Sequence, residues 1–455
     1  MKKLFVVLAV MLCLVQSAFC GPAEAKDASL EEAVQAVLVD KKDVDISFWT
    51  GTGAANLPYL QAMVDAFQKA YPNIHVDFQN QGAINDLMTK LTQNIVARQT
   101  PTLSNANPTY FREFIDSGAV VDLAPYFNNE TIGYTESEKA GFIQSNLKEA
   151  ESFGGEGTLY GFPTNKKTAD ILFYNKTFFD AHGWDAPETW DEVLEISKSI
   201  YEETGKPGFS YDVAYAESAF RLMSMQWGSE YIDENGNVAI DNEASREALK
   251  FYKDAFDAGY FSLPSEMPSS AGGNYSNKAF VEQECYMYVG AAAGAPYGIP
   301  SADKGQEVFE VGCAPLPQKD DSRKVAFNKG EDYCVFSNST EEQRVAAWLL
   351  IKFLSSDEQN ADWLIATGNL PVTVTMSSNE KYNEFLNTES DGSALYYKAQ
   401  AVQAVLDMND YITFERQSPY TAPLAKAAGT MFQSVIIGGM DIDAAIEQAV
   451  SEATW

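Results

Sequence analysis

Val44-Asp45-Ile46-Ser47-Phe48-Trp49 alternates apolar and polar positions and predicts a strand, closed by Thr50-Gly51-Thr52-Gly53. Leu60, Met63, Val64 and Phe67 follow at helical spacing, and Tyr71-Pro72 stops that helix. Ile74 to Phe78 alternates again as a second strand. Leu87, Leu91, Ile95 and Val96 mark a second helix that ends near Thr100-Pro101. Strand, helix, strand, helix predicts an α/β chain with a parallel, doubly wound sheet. Ligands of such sheets sit at the carboxyl ends of the strands. The loops after Trp49, after Phe78 and around Asn105-Ala106-Asn107-Pro108 are therefore candidate site loops.

Further along, helical spacing dominates from Trp190 to about Tyr260, with Thr189 as the cap of the first helix. Asp233-Glu234-Asn235-Gly236-Asn237 predicts a turn between short strands. Val281 to Val289 alternates as a strand and opens into the Gly-rich stretch Gly290 to Pro296. Another strand, Val308 to Ala314, leads to Pro315-Leu316-Pro317, which reads as a second crossover, and Thr367 to Val372 reads as a third. Glu341 to Leu354 predicts a long amphipathic helix, and the chain beyond Val372 reads as helical and acidic. The lead, residues 26–43, carries Leu30, Val34 and Val37 or Leu38 at helical spacing and predicts a short helix or tether.

Composition changes this picture in three ways. A length of 455 residues exceeds one ordinary core and predicts two domains. The net charge of -32 disfavours nucleic acid and anionic membranes as partners. The 23 tyrosines and 7 tryptophans supply the apolar faces with polar edges that hold sugar rings. The first 25 residues read as a secretory signal: Lys2 and Lys3, an apolar run from Leu4 to Val15, and a cleavage site at Ala23-Glu24-Ala25. Cys20 offers a rival reading as a lipidated cysteine, against which stands the bulky Phe19 before it. Cys285, Cys313 and Cys334 would remain, as buried thiols or with one disulfide; no spacing suggests zinc or a redox pair.

The stretch Leu159 to Trp190 carries the most information: a Gly161-Phe162-Pro163 crossover, the run Ile171 to Tyr174, Asn175-Lys176, and Pro187-Glu188-Thr189-Trp190. With FWTG (Phe48 to Gly51), AFQKAYPNIHV (Ala66 to Val76), SGAVVDLAPYF (Ser117 to Phe127), AFVEQECYMYVG (Ala279 to Gly290), APLPQ (Ala314 to Gln318) and TGNLPV (Thr367 to Val372), it resembles the extracellular solute-binding proteins of ABC sugar importers. The resemblance implies a two-lobe, type II periplasmic-binding-protein-like fold hinged by crossover strands. The first lobe would hold residues 44–163 and 318–368, and the second 164–317 and 369–455. It further implies a small-molecule sugar ligand between the lobes, ABC permease subunits as partners, and neither catalysis, metal nor cofactor. A glycerol-phosphate or polyol binder is the alternative within the family. The region Phe414 to Gly429 lacks a clear phosphate motif, which favours a neutral sugar.

On this basis the candidate ligand-binding residues are Trp49, Asn105, Asn107, Asn165, Lys166, Trp227, Gly290, Lys329, Glu331, Asp332, Arg416 and Tyr420. Each has a plainer reading beside it: Trp49 as a sheet cap, Asn105 and Asn107 as turn formers, Trp227 as core, the carboxylates as solvated, Arg416 as a partner in an ion pair. Lys167 is expected to be solvated. A secreted glycoside hydrolase is the rival outside the family, since paired carboxylates abound, but no block marks a pair. His75 and His182 are the only histidines and no Gly-x-Ser-x-Gly elbow occurs, which disfavours a triad hydrolase. An adhesin would need a flat apolar patch rather than a cleft. The turn at Asp233 lacks the spacing of a calcium loop.

Overall fold

The computed structural model describes residues 29–213 and 217–454. The signal segment and Cys20 lie outside the described residues. Twelve strands occur among the described residues: β1 (Val44–Thr50), β2 (Ile74–Asn80), β3 (Leu103–Ala106), β4 (Phe162–Pro163), β5 (Asp170–Asn175), β6 (Phe209–Tyr211), β7 (Phe261–Ser262), β8 (Met287–Ala291), β9 (Val311–Ala314), β10 (Ala326–Phe327), β11 (Asp332–Val335) and β12 (Ile412–Thr413).

These strands form two five-stranded sheets and one small pair. The first sheet runs β2-β1-β3-β11-β4, the second β7-β6-β8-β5-β9, and β10 pairs with β12. In each large sheet three neighbouring strands are parallel, and the fourth place holds a reversed strand, β11 in the first and β5 in the second. The plan has a consequence for chemistry. The amino ends of the reversed strands, Asp332 and Asp170, come to the same edge as the carboxyl ends of their parallel neighbours. Asp332 stands opposite Ala106, and Asp170 opposite Ala291.

The local signals explain these elements. In β1, Val44, Ile46, Phe48 and Thr50 are buried, as the period-two pattern requires. The helix Leu57–Ala70 buries Leu60, Met63, Val64 and Phe67 and stops at Tyr71. Thr189 and Glu192 form a reciprocal capping box at the start of the helix Trp190–Thr204. The lead is helical from Leu30 to Val39 and packs Ala33, Val34 and Val37 against the helix Glu341–Leu354.

Four expectations are corrected. Val96 is 85% exposed, because the helix Ile84–Ala97 turns its buried face through Leu87, Met88 and Leu91 instead. Val281 closes a short helix, Asn277–Val281, and the strand begins only at Met287. The helix Glu341–Leu354 is buried nearly all round from Val345 to Leu354 rather than on one stripe. The turn at Asp233 is flanked by a single bridge between Ile232 and Val238 rather than by strands. Cys285, Cys313 and Cys334 are free thiols.

Three crossing segments meet between the sheets. Thr168 and Lys329 exchange backbone hydrogen bonds of 2.8 and 2.7 Å, and the Leu370 amide donates to the Lys167 carbonyl at 2.7 Å. Gly330 makes the close approach possible: it has φ +140°, and a Cβ there would lie 2.6 Å from the Lys166 carbonyl oxygen. Between β9 and β11 the chain bridges to Thr189 through Gln318 and pairs with β12 through β10, and it joins the first sheet at β11.

Candidate functional site

A cavity of about 80 Å³ lies beside these crossings, walled from both halves of the molecule. The loop Asn107-Pro108-Thr109 and Glu149 line it from the side of the first sheet. Glu217, Ser218 and Arg221 line it from the helix Glu217–Gln226; Phe327 to Gly330, Glu415 and Gln417 complete it.

Charge is tightly paired at this place. Arg221 is 9% exposed, contacts Glu415 at 2.7 Å, and lies 4.5 Å from the centre of the Phe327 ring. Burial works against its charge, but Glu415 and then Glu217 outweigh burial and raise its pKa above the ordinary value. Burial likewise raises the Glu415 carboxyl, against the pull of Arg221. Lys329 reaches Asp170 at 2.5 Å, and Lys166 reaches Glu331 at 2.5 Å. Lys167 is 1% exposed, between Glu149 at 2.9 Å and Asp332 at 3.1 Å, so the expectation of a solvated lysine is corrected. Burial again opposes the Lys167 charge, and Asp332 and Glu149 more than compensate, raising its pKa. The Asp332 carboxyl is raised by burial in spite of Lys167.

Some polar atoms in the cavity wall have no partner. Arg221 Nε, Glu415 Oε1 and Gln417 Oε1 are buried without a hydrogen bond, and nearby Asn105 Oδ1 and Asp332 Oδ1 share that state. Buried groups of this kind ordinarily find partners, so a cluster of them marks a place where one is due.

Of the sequence candidates, Asn107 and Lys329 line the cavity. Asn107 also accepts from the Thr109 amide at 3.0 Å, which makes it a turn former as well. Glu331, Lys166 and Asn105 form one linked group, since Glu331 accepts from both side chains, and Asp332 lies beside it. Asn165 is buried beside Asn105 and Lys166: its amide donates to the Leu354 carbonyl at 3.0 Å, and its backbone carbonyl accepts from Trp363 Nε1 at 2.7 Å. Gly290 is buried in β8, where a Cβ would lie 2.6 Å from Asp212 Oδ2.

The remaining four do not join the cavity. Trp49 is half-buried and packs on the core of the first sheet. Trp227 is half-buried, packs on Phe251 at 5.4 Å and carries the Lys319 ammonium 5.0 Å over its ring. Arg416 donates to the Ile232 carbonyl at 2.9 Å, near Glu230 at 3.6 Å. Tyr420 stands at the start of the helix Thr421–Ile436. The cavity lining also includes charged and amide side chains that the sequence does not single out, among them Glu149, Glu217, Arg221, Glu415 and Gln417. A signal for two of them existed: successive residues of an extended segment face opposite ways, so an outward Arg416 sends Glu415 and Gln417 inward.

A second cavity, of about 740 Å³, opens on the edge of the second sheet. It is lined by Asp212, the loop Ser269 to Tyr275, Tyr288, Ala291 and Tyr297, and Tyr275 and Tyr297 are exposed. Because Ala291 stands opposite Asp170, and Asp170 holds Lys329, the two cavities share one edge. No group of three or more potential metal ligands occurs among the described residues. No helix among them is long and apolar enough to cross a membrane.

Known proteins align with this architecture. A putative binding protein of Brucella abortus is 23% identical over 400 residues, covering 87% of this chain and 89% of that protein. An arabinooligosaccharide-binding protein of Bacillus subtilis is 20% identical over 431 residues, covering 90% and 89%. The maltose-bound structure of T. maritima MalE3 superposes with a TM-score of 0.71 at 22% identity, covering 90% of this chain and 99% of that one. The two sheets and their crossings are therefore the two-lobe type II fold of periplasmic binding proteins. The model for "Bacterial extracellular solute-binding protein" matches residues 62–386. It describes binding proteins rather than enzymes, working outside the cytoplasm, and this chain belongs to that family.

Proposed function

We propose that this protein captures a carbohydrate between its two lobes and hands it, chemically unchanged, to the permease of an ABC importer. The observation that carries this reading is the set of unpartnered atoms in the cavity between the lobes: one donor, Arg221 Nε, and two acceptors, Glu415 Oε1 and Gln417 Oε1. A hydroxyl group both donates and accepts, so a polyhydroxylated ligand answers all three. Leaving them unanswered costs about 1–3 kcal/mol each. The sugar-binding relatives support the same class.

The cavity is too small for its task as it stands. At about 80 Å³ it falls below the ~300–1,000 Å³ of ordinary ligand pockets, so loading requires the lobes to part at the crossing segments. The second cavity, with the faces of Tyr275 and Tyr297, supplies room for further sugar units. The glycerol-phosphate alternative is disfavoured because the two cations lining the first cavity, Arg221 and Lys329, are already matched by Glu415 and Asp170. Attachment through Cys20, where it occurs, would hold the protein at the cell surface, and mass spectrometry of the N-terminal peptide tests it.

A thermal-shift screen of the purified protein tests the reading. The panel holds mono- and oligosaccharides, polyols, glycerol phosphate and amino acids. A ligand at one hundred times its dissociation constant adds about 2.7 kcal/mol of stability. The expected result is a carbohydrate hit, recovered intact. A hit on glycerol phosphate alone, or release of a cleaved product, would overturn it.

A further inference from the structure

The cleft holds more carboxyl groups than cations. Along the two sheet edges and the first cavity, Arg221, Lys329 and Lys166 each take one carboxylate, and Lys167 takes two. Two carboxylates are left over. Among the described residues no cation lies within salt-bridge distance of Glu217 or of Asp212. Asp212 accepts from the Ser276 amide at 2.6 Å and shares the wall of the second cavity with Lys278. Glu217 lines the first cavity at the start of the helix Glu217–Gln226, where the partial charge of the helix end and the Arg221 guanidinium, already paired with Glu415, both face it.

A second observation concerns the same cavity. Arg221, nine-tenths buried, lines it with Nε unpartnered, and Glu415, paired to Arg221 through Oε2, lines it with Oε1 unpartnered. The guanidinium charge is neutralised by Glu415 and covered by the Phe327 ring. It therefore supplies a donor without repelling a cation. The residues lining the cavity thus carry one unpartnered hydrogen-bond donor, two unpartnered acceptors and, in Glu217 and Glu415, two carboxylates against the single Arg221 guanidinium.

We propose that the ligand carries a protonated amine, as an amino sugar does, and that Glu217 is its counter-ion. The inference rests on the carbohydrate reading and narrows it. The hydroxyls of the sugar unit answer Arg221 Nε and Gln417 Oε1, and the ammonium lies between Glu217 and Glu415 Oε1. Hydrogen bonds between ionised partners are shorter and about twice as strong as neutral ones, so the amine is a feature on which the site can discriminate.

Matched probe sets test this by calorimetric titration: glucosamine, N-acetylglucosamine and glucose; the corresponding galactose set; and the β-1,4-linked dimers of the first set. Within a set the ring is constant; the acetylated member loses the charge and gains bulk, and the parent sugar loses the charge at nearly unchanged size, so the comparison with the parent sugar isolates the charge. The expected result is a set in which the free amine binds at least tenfold more tightly than both neutral members. Glu217→Gln should bring the amine down to the neutral affinity, while Glu217→Asp should keep most of the preference. Glu243→Gln, which removes one exposed charge away from the cleft, should leave the preference intact and so separate Glu217 from the general acidity of the chain. Unliganded melting temperatures establish that each variant is folded. Neutral members binding as tightly as the amine would overturn the inference and leave the carbohydrate reading standing. A preference that survives Glu217→Gln would overturn the role of Glu217. Absence of binding by every probe would count against both readings.

Discussion

Lys167 shows how a single residue ties the molecule together. It sits on a crossing segment, 1% exposed, and holds Glu149 and Asp332 at once. Removing one member of a buried charge network strands the others and costs about 3–5 kcal/mol. Lys167→Met should lower unfolding free energy by that order in chemical denaturation at neutral pH; a loss below about 1 kcal/mol would show that the network adds little. Asp212 gives a pH signature. Burial, reinforced by Asp170 and opposed by the Ser276 hydrogen bonds and Lys329, pushes its carboxyl up to about 7. The folded state then holds this proton more tightly than the unfolded chain, whose carboxyl titrates near ~3.9. Its charge therefore costs stability, increasingly as pH rises from about 4 to about 7. Asp212→Asn should abolish that cost, so that its melting temperature gains on the wild type across this window and matches it near the lower end. Parallel pH curves would contradict the assignment. The partners of these groups lie far apart in sequence, Lys167 and Asp332 being 165 positions apart, so no local pattern could show that Lys167 is buried.

Elements were more legible than residues. The helix Leu57–Ala70 and strand β1 follow from spacing alone, since one face of each must be apolar to pack. Spacing failed where burial is all-round: the helix Glu341–Leu354 has Trp348 donating to the Ile132 carbonyl at 3.0 Å and lies within the core, so no stripe marks its inner face. It failed again at Val281, where a short apolar run fits helix and strand equally. The crossing segments were legible as Gly161-Phe162-Pro163 and Leu370-Pro371, but not the contact between them. Gly330 is the key to that contact. Gly330→Ala would drive a methyl group against the Lys166 carbonyl at a strained φ. The expected cost is about 1–3 kcal/mol in chemical denaturation, together with a change in the affinity for ligand. A variant with unchanged stability and affinity would show that the crossings tolerate separation.

At the scale of the whole molecule, the two sheets repeat one plan in which a reversed strand brings an acidic residue to the edge where the parallel strands end. The resemblance in motifs pointed to the two-lobe family, because crossings and strand ends are set by short local sequences. It did not point to the cavity wall, which is assembled from five separated stretches of chain. Arg416 illustrates the difference. The sequence marks this segment, but only the structure shows Arg416 half-exposed while its neighbours Glu415 and Gln417 line the cavity. The central claim is that a carbohydrate is held in this cavity by the atoms left unpartnered there. The most direct measurement is a calorimetric titration of the best carbohydrate from the screen into wild type and Gln417→Leu, which removes Oε1 at little change in volume. A drop in affinity of about tenfold, near 1.4 kcal/mol, is the predicted result. Equal affinity in a folded variant would place the ligand elsewhere and contradict the account.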